Sequence, residues 1–192
     1  MYCPPYTRAD DPAVAHEIID GHPFATLISV GPDGDPLASH IPILRQEEAL
    51  LFHVARANPH ATLAGGRALA IFHGPDAYVS PTWYGKPAEN VPTWNYVAVH
   101  VLGVVEALSD EESAAALDLL VERFEASWSV NVGVRARLVG AIAGFRLKPD
   151  RIEAKLKLSQ NRDELDVVRV AEVLRRNEPV LATWMRRVLQ RG

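Results

Sequence analysis

Apolar and polar residues alternate in short runs over the first half of the chain. The runs at 24–30 and 37–44 flank Gly31-Pro32-Asp33-Gly34-Asp35-Pro36, a segment of turn-forming residues, and together they predict a β-hairpin. Further runs are rich in β-branched and aromatic residues and lie at 49–54, 68–73, 77–80 and 94–108. Strands joined mainly by short turns predict antiparallel pairing in a small closed barrel, because closure leaves no unpaired edge strand.

Two short helices are predicted among these strands. The first begins at Asp10-Asp11-Pro12, which supplies a cap and a first-turn proline, and Gly21 ends it. Asn58-Pro59 is a similar pair, and Gly65-Gly66 limits the second helix to about two turns.

A longer helix is predicted after residue 108. Ser109 and Glu112 have the spacing of a capping box. Large apolar residues then recur at helical spacing, and we expect the helix to pack against the barrel through this stripe. The stripe consists of Leu117, Leu120, Val121, Phe124 and Trp128.

The last quarter of the chain predicts strand structure followed by two helices. Alternation over 142–158 indicates one or two strands with a solvated face, and 164–176 and 179–189 are helical patterns separated by Pro179. An amphipathic dimerisation or packing hairpin is favoured over a helix-turn-helix for this pair, because no recognition-helix signature is visible. We therefore predict a barrel domain over 1–162 and a helical extension over 163–192, packed on the same domain.

Composition indicates a compact globular protein. The 192 residues are 48% hydrophobic and 23% charged, which suffices for one buried core. With 20 Lys+Arg against 24 Asp+Glu the formal charge is -4, opposite to a dedicated nucleic-acid module, so any DNA contact has to be local. One cysteine, Cys3, excludes an internal disulfide and a thiolate zinc site. The chain shows neither a secretory signal nor an apolar membrane span, and we expect it to be cytoplasmic.

Standard catalytic and nucleotide-binding motifs are absent from the sequence. It contains no G-x-G-x-x-G, no Walker lysine loop, no G-x-S-x-G and no H-E-x-x-H. The histidines lie on different elements, none at the i, i+4 spacing of a helical metal site, so no metal site is predicted. Four of them fall in predicted strands, where each is explained equally well as a hydrogen-bonded barrel residue. These are His40, His53, His73 and His100.

Arg56 has the surroundings of a phosphate ligand. It follows a strand and precedes the helix start at Asn58-Pro59, where free backbone N–H groups and the positive helix end favour an anion. The guanidinium adds a planar fork for two phosphate oxygens. A surface ion pair for Arg56 and a simple cap role for Asn58 explain the same segment equally well.

Two other concentrations of residues suit a ligand. One is suited to an anion or the edge of a heterocycle, unless it is only a charged strand face and loop: Lys155, Lys157, Ser159, Gln160, Asn161 and Arg162. The other is aromatic and could wall a flat ligand or seal a subunit interface, although core packing explains about half of it: Tyr78, Trp83, Tyr84, Trp94 and Tyr96.

Five blocks follow one another along the chain. They are Met1-Tyr2-x-Pro4, 55–59, 74–84, 91–96 with Val99-His100-Val101-x-Gly103, and 157–162. Together they resemble the PaiB-like FMN-binding negative transcriptional regulators. The resemblance implies a split β-barrel that is mainly β with flanking helices, a homodimer with FMN near the subunit boundary, and bacterial repression of genes for protease production and sporulation.

The resemblance and the local patterns together suggest a flavin site. Arg56, with Asn58 and the helix start, is expected to hold the FMN phosphate. The residues expected along or beside the flavin ring are Ser39, His40, Ile41, His53 and Val54. The residues expected to close the pocket, some of them from the partner subunit, are Trp83, Tyr84, Trp94, Asn95, Lys157, Ser159 and Gln160.

The preferred function is that of an FMN-binding homodimeric negative transcriptional regulator. Its DNA contact is implied by the resemblance alone, and no catalytic residue is predicted. The alternative is a flavin-dependent oxidoreductase, because this kind of fold does not fix the chemistry. In that case His40 or His100 is a candidate proton donor. A dimeric scaffold with an empty site is a third possibility.

Overall fold

The structure is a computed structural model, and it describes residues 1–128 and 131–190. The strands are β1 (Arg8–Ala9), β2 (Phe24–Val30), β3 (Pro36–Gln46), β4 (Ala49–Ala55), β5 (Arg67–Val79), β6 (Thr93–Ala107) and β7 (Ile142–Lys157). The α-helices are α1 (Pro12–Gly21), α2 (Asp110–Glu125), α3 (Val132–Ala141), α4 (Glu164–Leu174) and α5 (Pro179–Leu189). Short 3₁₀ helices cover Pro5–Thr7, Pro59–Thr62, Pro81–Trp83 and Pro87–Glu89. Across the described ranges, every helix is too short or too polar to span a bilayer.

The strands form one antiparallel sheet that returns on itself. Its order is β1-β7-β4-β3-β2-β5-β6, and β7 also pairs with β6. The ring of pairings runs through β2 to β7 and joins what would be the two ends of a flat sheet, while the two-residue β1 pairs with β7 outside the ring. The predicted fold class, mainly β with flanking helices, is confirmed.

The chain divides into two compact units. The central unit comprises Ile19–Phe72 and His100–Ile152. The terminal unit comprises Met1–Ile18, His73–Val99 and the described residues from Glu153 onward. Strands β5, β6 and β7 contribute residues to both units. The predicted division into a barrel domain over 1–162 and an extension over 163–192 stays a prediction.

In the central unit the predicted hairpin is confirmed. β2 pairs antiparallel with β3 in a register that sets Thr26 opposite His40 and Leu27 opposite Ser39. Alternation buries Leu27 on the inner face and leaves Phe24 on the outer face. Inside, the rings of Phe52 and Phe145 stack with their centroids 5.5 Å apart. This apolar packing supports the strands that carry the polar residues described below.

The terminal unit has its own core, to which both C-terminal helices contribute. Val170 of α4 and Leu181 and Met185 of α5 are fully buried, as is Val97 of β6. The two helices therefore form a packing hairpin, as their apolar spacing predicts.

The prediction of two separate strands at 68–73 and 77–80 is wrong. The separate runs at 68–73 and 77–80 are one strand, which passes through Gly74-Pro75 without ending. A Cβ on Gly74 would lie 3.1 Å from the side chain of Val97, so this glycine permits a close approach of backbone to the neighbouring strand.

The prediction of a two-turn helix after Asn58 is also wrong. The segment Pro59–Thr62 is a single 3₁₀ turn. Asn58 caps it as predicted, because its side chain accepts from the backbone N–H of His60 at 2.9 Å. The chain then turns away at Gly65, whose φ of 79° suits glycine.

The capping box of α2 is confirmed, but the predicted stripe is wrong in its second half. Ser109 Oγ accepts from the Glu112 N–H at 3.2 Å, and Glu112 Oε2 accepts from the Ser109 N–H at 2.9 Å. Phe124 and Trp128 are 52% and 53% exposed. The buried face consists of small residues nearer the cap, including Ser113, whose hydroxyl occupies the space where a Cβ on Gly144 of β7 would lie. Close packing at small residues therefore replaces the large stripe.

Helix α3 has no counterpart in the sequence prediction. None of its apolar residues is buried, and it contains Gly133 and Gly140, which lower helix propensity. It is tied to α2 by Arg135, which donates to Asp118 from Nε at 2.9 Å.

Candidate functional site

The predicted site residues fall into two groups, one in each unit. The central unit holds Ser39, His40, Ile41, His53, Val54, Arg56 and Asn58. The terminal unit holds Trp83, Tyr84, Trp94, Asn95, Lys157, Ser159 and Gln160.

Ser39 and Asn58 of the central group form a polar cluster with His60. Ser39 Oγ lies 2.9 Å from His60 Nδ1, and Asn58 Nδ2 donates to Ser39 Oγ at 3.2 Å. Asn58 Oδ1 also accepts from the backbone N–H of His60. The Asn58 cap thus fixes both the 3₁₀ turn and the orientation of the serine hydroxyl.

His60 is the residue of this cluster that the site prediction missed. Its side chain is 2% exposed, and Nε2 is buried with no hydrogen-bond partner among the described residues. Burial lowers the pKa of His60, which favours the neutral ring. Its position after Asn58-Pro59 suggests only a helical residue, and the link to Ser39 arises in the folded chain.

The Arg56 guanidinium is partly engaged by the protein itself. Nε donates to the carbonyl oxygen of Gly140 at the end of α3 at 2.8 Å, and an Nη donates to Asp110 at 3.3 Å. The Arg56 side chain is 53% exposed and that of Asp110 84%, so this ion pair is a weak surface contact. Two of the five N–H donors of an arginine are used, and the side chain keeps donors for an anion.

The backbone amides near Arg56 are not free, in contrast to the sequence hypothesis. The amide of His60 donates to Asn58 Oδ1, and the amide of Ala61 donates to the Asn58 carbonyl at 2.8 Å. Pro59 has no N–H. A four-residue 3₁₀ turn with these amides satisfied offers no N-terminal anion site, so the anion-binding capacity of this segment is that of Arg56.

The strand alternation separates the residues expected along the ring. Ser39 and Ile41 lie on one face of β3, opposite Leu27 and Ala25 of β2, whereas His40 lies on the other face. His40 is exposed, and its Nδ1 lies 3.0 Å from Thr26 Oγ1.

On β4, His53 and Val54 also point to opposite faces. Val54 is a buried core residue at 3% exposure, and His53 is half-buried opposite Gly144 of β7. Burial lowers the pKa of His53.

The aromatic members of the terminal group form a cluster around Tyr78. The Tyr78 ring meets the rings of Trp83 and Trp94 edge to face, with centroids 6.4 Å and 6.2 Å apart. Tyr78 and Trp94 are 44% and 53% exposed, so much of this aromatic surface is available for contact. Tyr84 is different, because it is 3% exposed and belongs to the core of its unit.

Asn95 and Ser159 form a buried hydrogen-bonded pair. Asn95 Nδ2 lies 3.0 Å from Ser159 Oγ, and Asn95 Oδ1 lies 3.1 Å from the same oxygen. The Tyr84 hydroxyl approaches it at 3.4 Å. Ser159 has a φ of 67°, a left-handed conformation that costs about 1–2 kcal/mol in a residue with a Cβ. This network fixes the loop after β7.

Lys157 and Gln160 lie on either side of Ser159 along the chain. Lys157 Nζ donates to Thr93 Oγ1 and to the Trp94 carbonyl, each at 2.5 Å. Gln160 Oε1 accepts from the Leu158 N–H at 2.7 Å, and its Nε2 donates to the Leu156 carbonyl. Gln160 thus holds its loop, and Lys157 joins the end of β7 to the start of β6.

Comparison with known proteins identifies the family. Residues 1–151 match the family described as "Putative FMN-binding domain". The chain is 32% identical over 203 residues to "Protease synthase and sporulation protein PAI 2" of Bacillus subtilis (strain 168), an alignment covering 99% of this chain and 97% of the relative.

Two solved structures share the fold. The FAD and heme binding protein from Mycobacterium smegmatis has a TM-score of 0.67 at 21% identity, covering 84% of this chain and 78% of that chain. The flavocytochrome Anf3 from Azotobacter vinelandii has a TM-score of 0.65 at 18% identity, covering 84% and 74%. The split-barrel architecture is therefore confirmed, and the chain belongs to the PaiB-like family of FMN-binding-domain proteins.

Proposed function

We propose that the chain binds FMN and that the central unit supplies the residues for its phosphate and for part of its ring. Membership of the FMN-binding-domain family supports the cofactor. The observation that carries the assignment to these residues is the hydrogen-bonded cluster of half-buried Ser39 and Asn58 with buried His60, together with the half-exposed Arg56.

The polar atoms of the cluster fit a flavin. Ser39 Oγ accepts from Asn58 Nδ2 and also bonds His60 Nδ1, and the donor of this second bond depends on the imidazole tautomer. In either tautomer His60 Nε2 is a buried polar atom without a described partner. A buried polar atom of this kind lacks about 1–3 kcal/mol of hydrogen-bonding free energy, which a polar group of a ligand would supply.

Arg56 is the proposed phosphate ligand. A guanidinium matches two phosphate oxygens with a planar fork, and contacts between charged groups are about twice as strong as neutral hydrogen bonds. The bond from Arg56 Nε to Gly140 orients the side chain before a ligand arrives. When bound, FMN supplies redox capacity, whereas the residues of this chain bind and orient it.

The other residues of the predicted site are proposed to surround the flavin without binding its phosphate. His40, Ile41, His53 and Val54 are proposed beside the ring. Because side chains alternate along β3, Ile41 shares the face of Ser39 and His40 lies on the other face. Within the terminal group, Trp83 and Trp94 are proposed to close a flavin pocket that is completed in the dimer. The other five residues, Tyr84, Asn95, Lys157, Ser159 and Gln160, are bonded within their own unit.

A titration of the flavin-free protein with FMN, followed by flavin fluorescence, tests the phosphate assignment. Arg56→Ala is expected to weaken FMN binding by about tenfold or more, because it removes a charge-assisted contact. Arg67→Ala is a matched control, since Arg67 is 54% exposed and pairs with Asp150 at 2.6 Å, much as Arg56 pairs with Asp110. Undiminished FMN affinity in a folded Arg56→Ala protein would refute the assignment.

We further propose that the chain is a homodimer and that the outer face of β2 and β3 meets a second copy. Phe24 and Val30 are 66% and 71% exposed, and the residues between them on the same face, Thr26 and Ile28, are half-buried. Across the hairpin, Ala38 continues this weakly polar surface opposite Ile28. An exposed apolar sheet face of this kind is typical of a surface that is covered in an oligomer.

The molar mass in solution, measured by light scattering after gel filtration, tests the dimer. Phe24→Glu is expected to give a monomer, because it introduces a charge into the proposed contact. Val132→Glu is the control, since Val132 is 82% exposed and lies on α3, not on the β2–β3 hairpin. A wild-type monomer, or a Phe24→Glu dimer, would contradict the proposal.

We also propose negative transcriptional regulation as the biological role, on the strength of family membership. The basic side chains of the C-terminal helices do not support DNA binding. Arg187 donates to Glu17 at 2.5 Å and Arg186 to Glu172 at 2.7 Å, which offsets much of the charge that DNA phosphates would need.

A gel-shift assay at low salt with bacterial promoter fragments tests this role. A shift that weakens steeply with added salt is expected for a repressor. The absence of any shift, combined with steady bleaching of the bound flavin and turnover of reduced nicotinamide, would replace the regulator by the flavin-dependent oxidoreductase.

A further inference from the structure

The terminal unit contains a cavity of about 180 Å³. Its walls come from the N-terminal segment, the start of β6, and the end of β7 with the loop that follows. Tyr2 and Tyr6 lie on the N-terminal side, and Asn95 and Ser159 lie at the buried end. Pockets for drug-sized ligands have volumes of about 300–1,000 Å³, so this cavity is too small for a flavin.

The charge of the cavity is entirely positive. Lys155, Lys157 and Arg162 line it, and its lining contains no aspartate or glutamate among the described residues. Arg162 lies over the Tyr84 ring at 5.3 Å, which fixes the direction of its guanidinium. Three cationic side chains around one small space favour an anion over a neutral or cationic ligand.

Lys155 has an unusual environment for a lysine. It is 8% exposed, and its Nζ donates to the Tyr2 carbonyl at 2.9 Å while lying 5.6 Å and 5.3 Å from the centres of the Tyr2 and Tyr96 rings. Glu153, two residues earlier on β7, accepts from the Met1 ammonium at 2.7 Å. A buried ammonium is normally balanced by an anionic partner.

The other two lysines of the chain differ from Lys155 and Lys157, because each of them pairs with a carboxylate. Lys86 lies 3.5 Å from Glu89, and Lys148 lies 2.7 Å from Glu106. Within residues 1–128 and 131–190, neither Lys155 nor Lys157 pairs with a carboxylate. The partners of both are neutral oxygens and aromatic rings.

The positive charges of Lys155 and Lys157 also repel each other. Burial and the neighbouring charge of Lys155 lower the pKa of Lys157. An anion between them would offset this repulsion. Lys155 uses one of its three N–H donors on a described oxygen and Lys157 uses two, so both keep a donor for a ligand.

We propose that this cavity binds a small molecule with a carboxylate or phosphate group, as a second ligand in addition to the flavin. The cationic lining supplies the affinity, and the small volume restricts the ligand to a short acid or a phosphate monoester. The buried Asn95–Ser159 pair provides a rigid polar end to the cavity.

Isothermal titration of the full chain saturated with FMN, using inorganic phosphate in one arm and succinate in the other at constant ionic strength, tests the proposal. Saturation with FMN fills the phosphate site proposed at Arg56, and constant ionic strength removes the effect of screening. We expect at least one of the two anions to bind, and the arm that gives heat distinguishes phosphate from carboxylate recognition.

The variants Lys157→Gln and Arg162→Gln are expected to weaken this binding by about tenfold each, since each removes a charged contact. Lys86→Gln is the control and should bind as the wild type does. Lys155 packs between two tyrosine rings, so its replacement affects folding as well and is not used as the primary variant.

Three results would overturn the proposal. One is no heat with either anion in the FMN-saturated and flavin-free proteins. Another is phosphate binding that disappears when FMN is added, because that phosphate would occupy the flavin site. The third is unchanged affinity in both cavity variants. Anion binding retained in flavin-free Arg56→Ala protein would support this cavity even if the flavin proposal fails.

Discussion

Ser39 Oγ lies 2.9 Å from Nδ1 of His60, and this contact orients a ring whose other nitrogen is buried without a described partner. Asn58 donates to the same serine oxygen at 3.2 Å. The serine hydroxyl therefore links the Asn58 side chain to the His60 ring, and the Asn58 cap helps to orient that ring. The three residues lie on β3 and on the turn after β4, and the pairing of β3 with β4 brings them together.

Ser39→Ala is expected to destabilise the protein and to weaken FMN binding. The substitution leaves His60 Nδ1 without its partner, and a buried group that loses its hydrogen bond costs about 1–3 kcal/mol of unfolding free energy. Urea denaturation and FMN titration measure the two effects. Ser127→Ala, on an exposed turn, is the control and should match the wild type in both. An unchanged urea midpoint for Ser39→Ala would show that the cluster does not stabilise the fold.

Stability is expected to fall as the solution becomes acidic. Burial lowers the pKa of both His53 and His60 below the ordinary value of 6.5. The unfolded chain therefore binds protons first, so the free energy of unfolding is highest above pH 6.5 and decreases as pH falls through that value toward the folded pKa values.

Urea midpoints between about pH 7.5 and 5.5 measure this dependence. His53→Leu is expected to flatten the curve only in part, because it removes one contributing ring, and burial also lowers the pKa of His60 and of His22. A steeper decline in the variant, or higher stability of the wild type at the acidic end, would contradict the assignment.

Gly144→Ala and Gly140→Ala are expected to have opposite effects. A Cβ on Gly144 would overlap Ser113 Oγ and lie 2.9 Å from Ser113 Cβ, so α2 would have to move away from β7. Overpacking of this kind costs about 1–3 kcal/mol. Gly140 has nothing within 4 Å of its ideal Cβ, and alanine there should stabilise α3 by up to about 1 kcal/mol. Urea denaturation compares the two, and a tolerated Gly144→Ala would mean that the helix is not held close to the strand.

The fold was largely predictable because its signals are local. Alternation located β2 and β3, and the spacing of Ser109 and Glu112 located the start of α2. The packing of α2 was not predictable in the same way, because Ser113 rather than Phe124 meets the sheet and that choice depends on Gly144, 31 residues away.

The candidate site was less predictable, for a physical reason. His60 is defined by its contact with Ser39, which the sequence separates by 21 residues. The separation of His40 from Ser39 onto opposite faces follows from the two-residue period of a strand and could have been anticipated. Lys155 belonged to a recognised basic patch, but its burial between Tyr2 and Tyr96 requires the N-terminal segment to fold back.

The turn between β3 and β4 gives a last prediction, which concerns backbone strain. Glu47 has a φ of 53°, a left-handed conformation that costs a residue with a Cβ about 1–2 kcal/mol. Glycine adopts it freely but loses about 0.4–1 kcal/mol through the greater freedom of the unfolded chain. Glu47→Gly is therefore expected to stabilise the protein by about 0.5 kcal/mol.

Glu48→Gly is a control that separates the relief of backbone strain from the entropic cost of glycine in the unfolded chain. Glu48 follows Glu47 in the same turn but does not have a positive φ, so glycine there relieves no strain, brings the entropic loss and removes a carboxylate that attracts Arg45. The bond from Arg45 Nη1 to the backbone oxygen of Glu47, at 3.3 Å, survives the Glu47 substitution. Urea midpoints should rank Glu47→Gly above the wild type and Glu48→Gly below it. The reverse order would place the strain at Glu48 instead of Glu47.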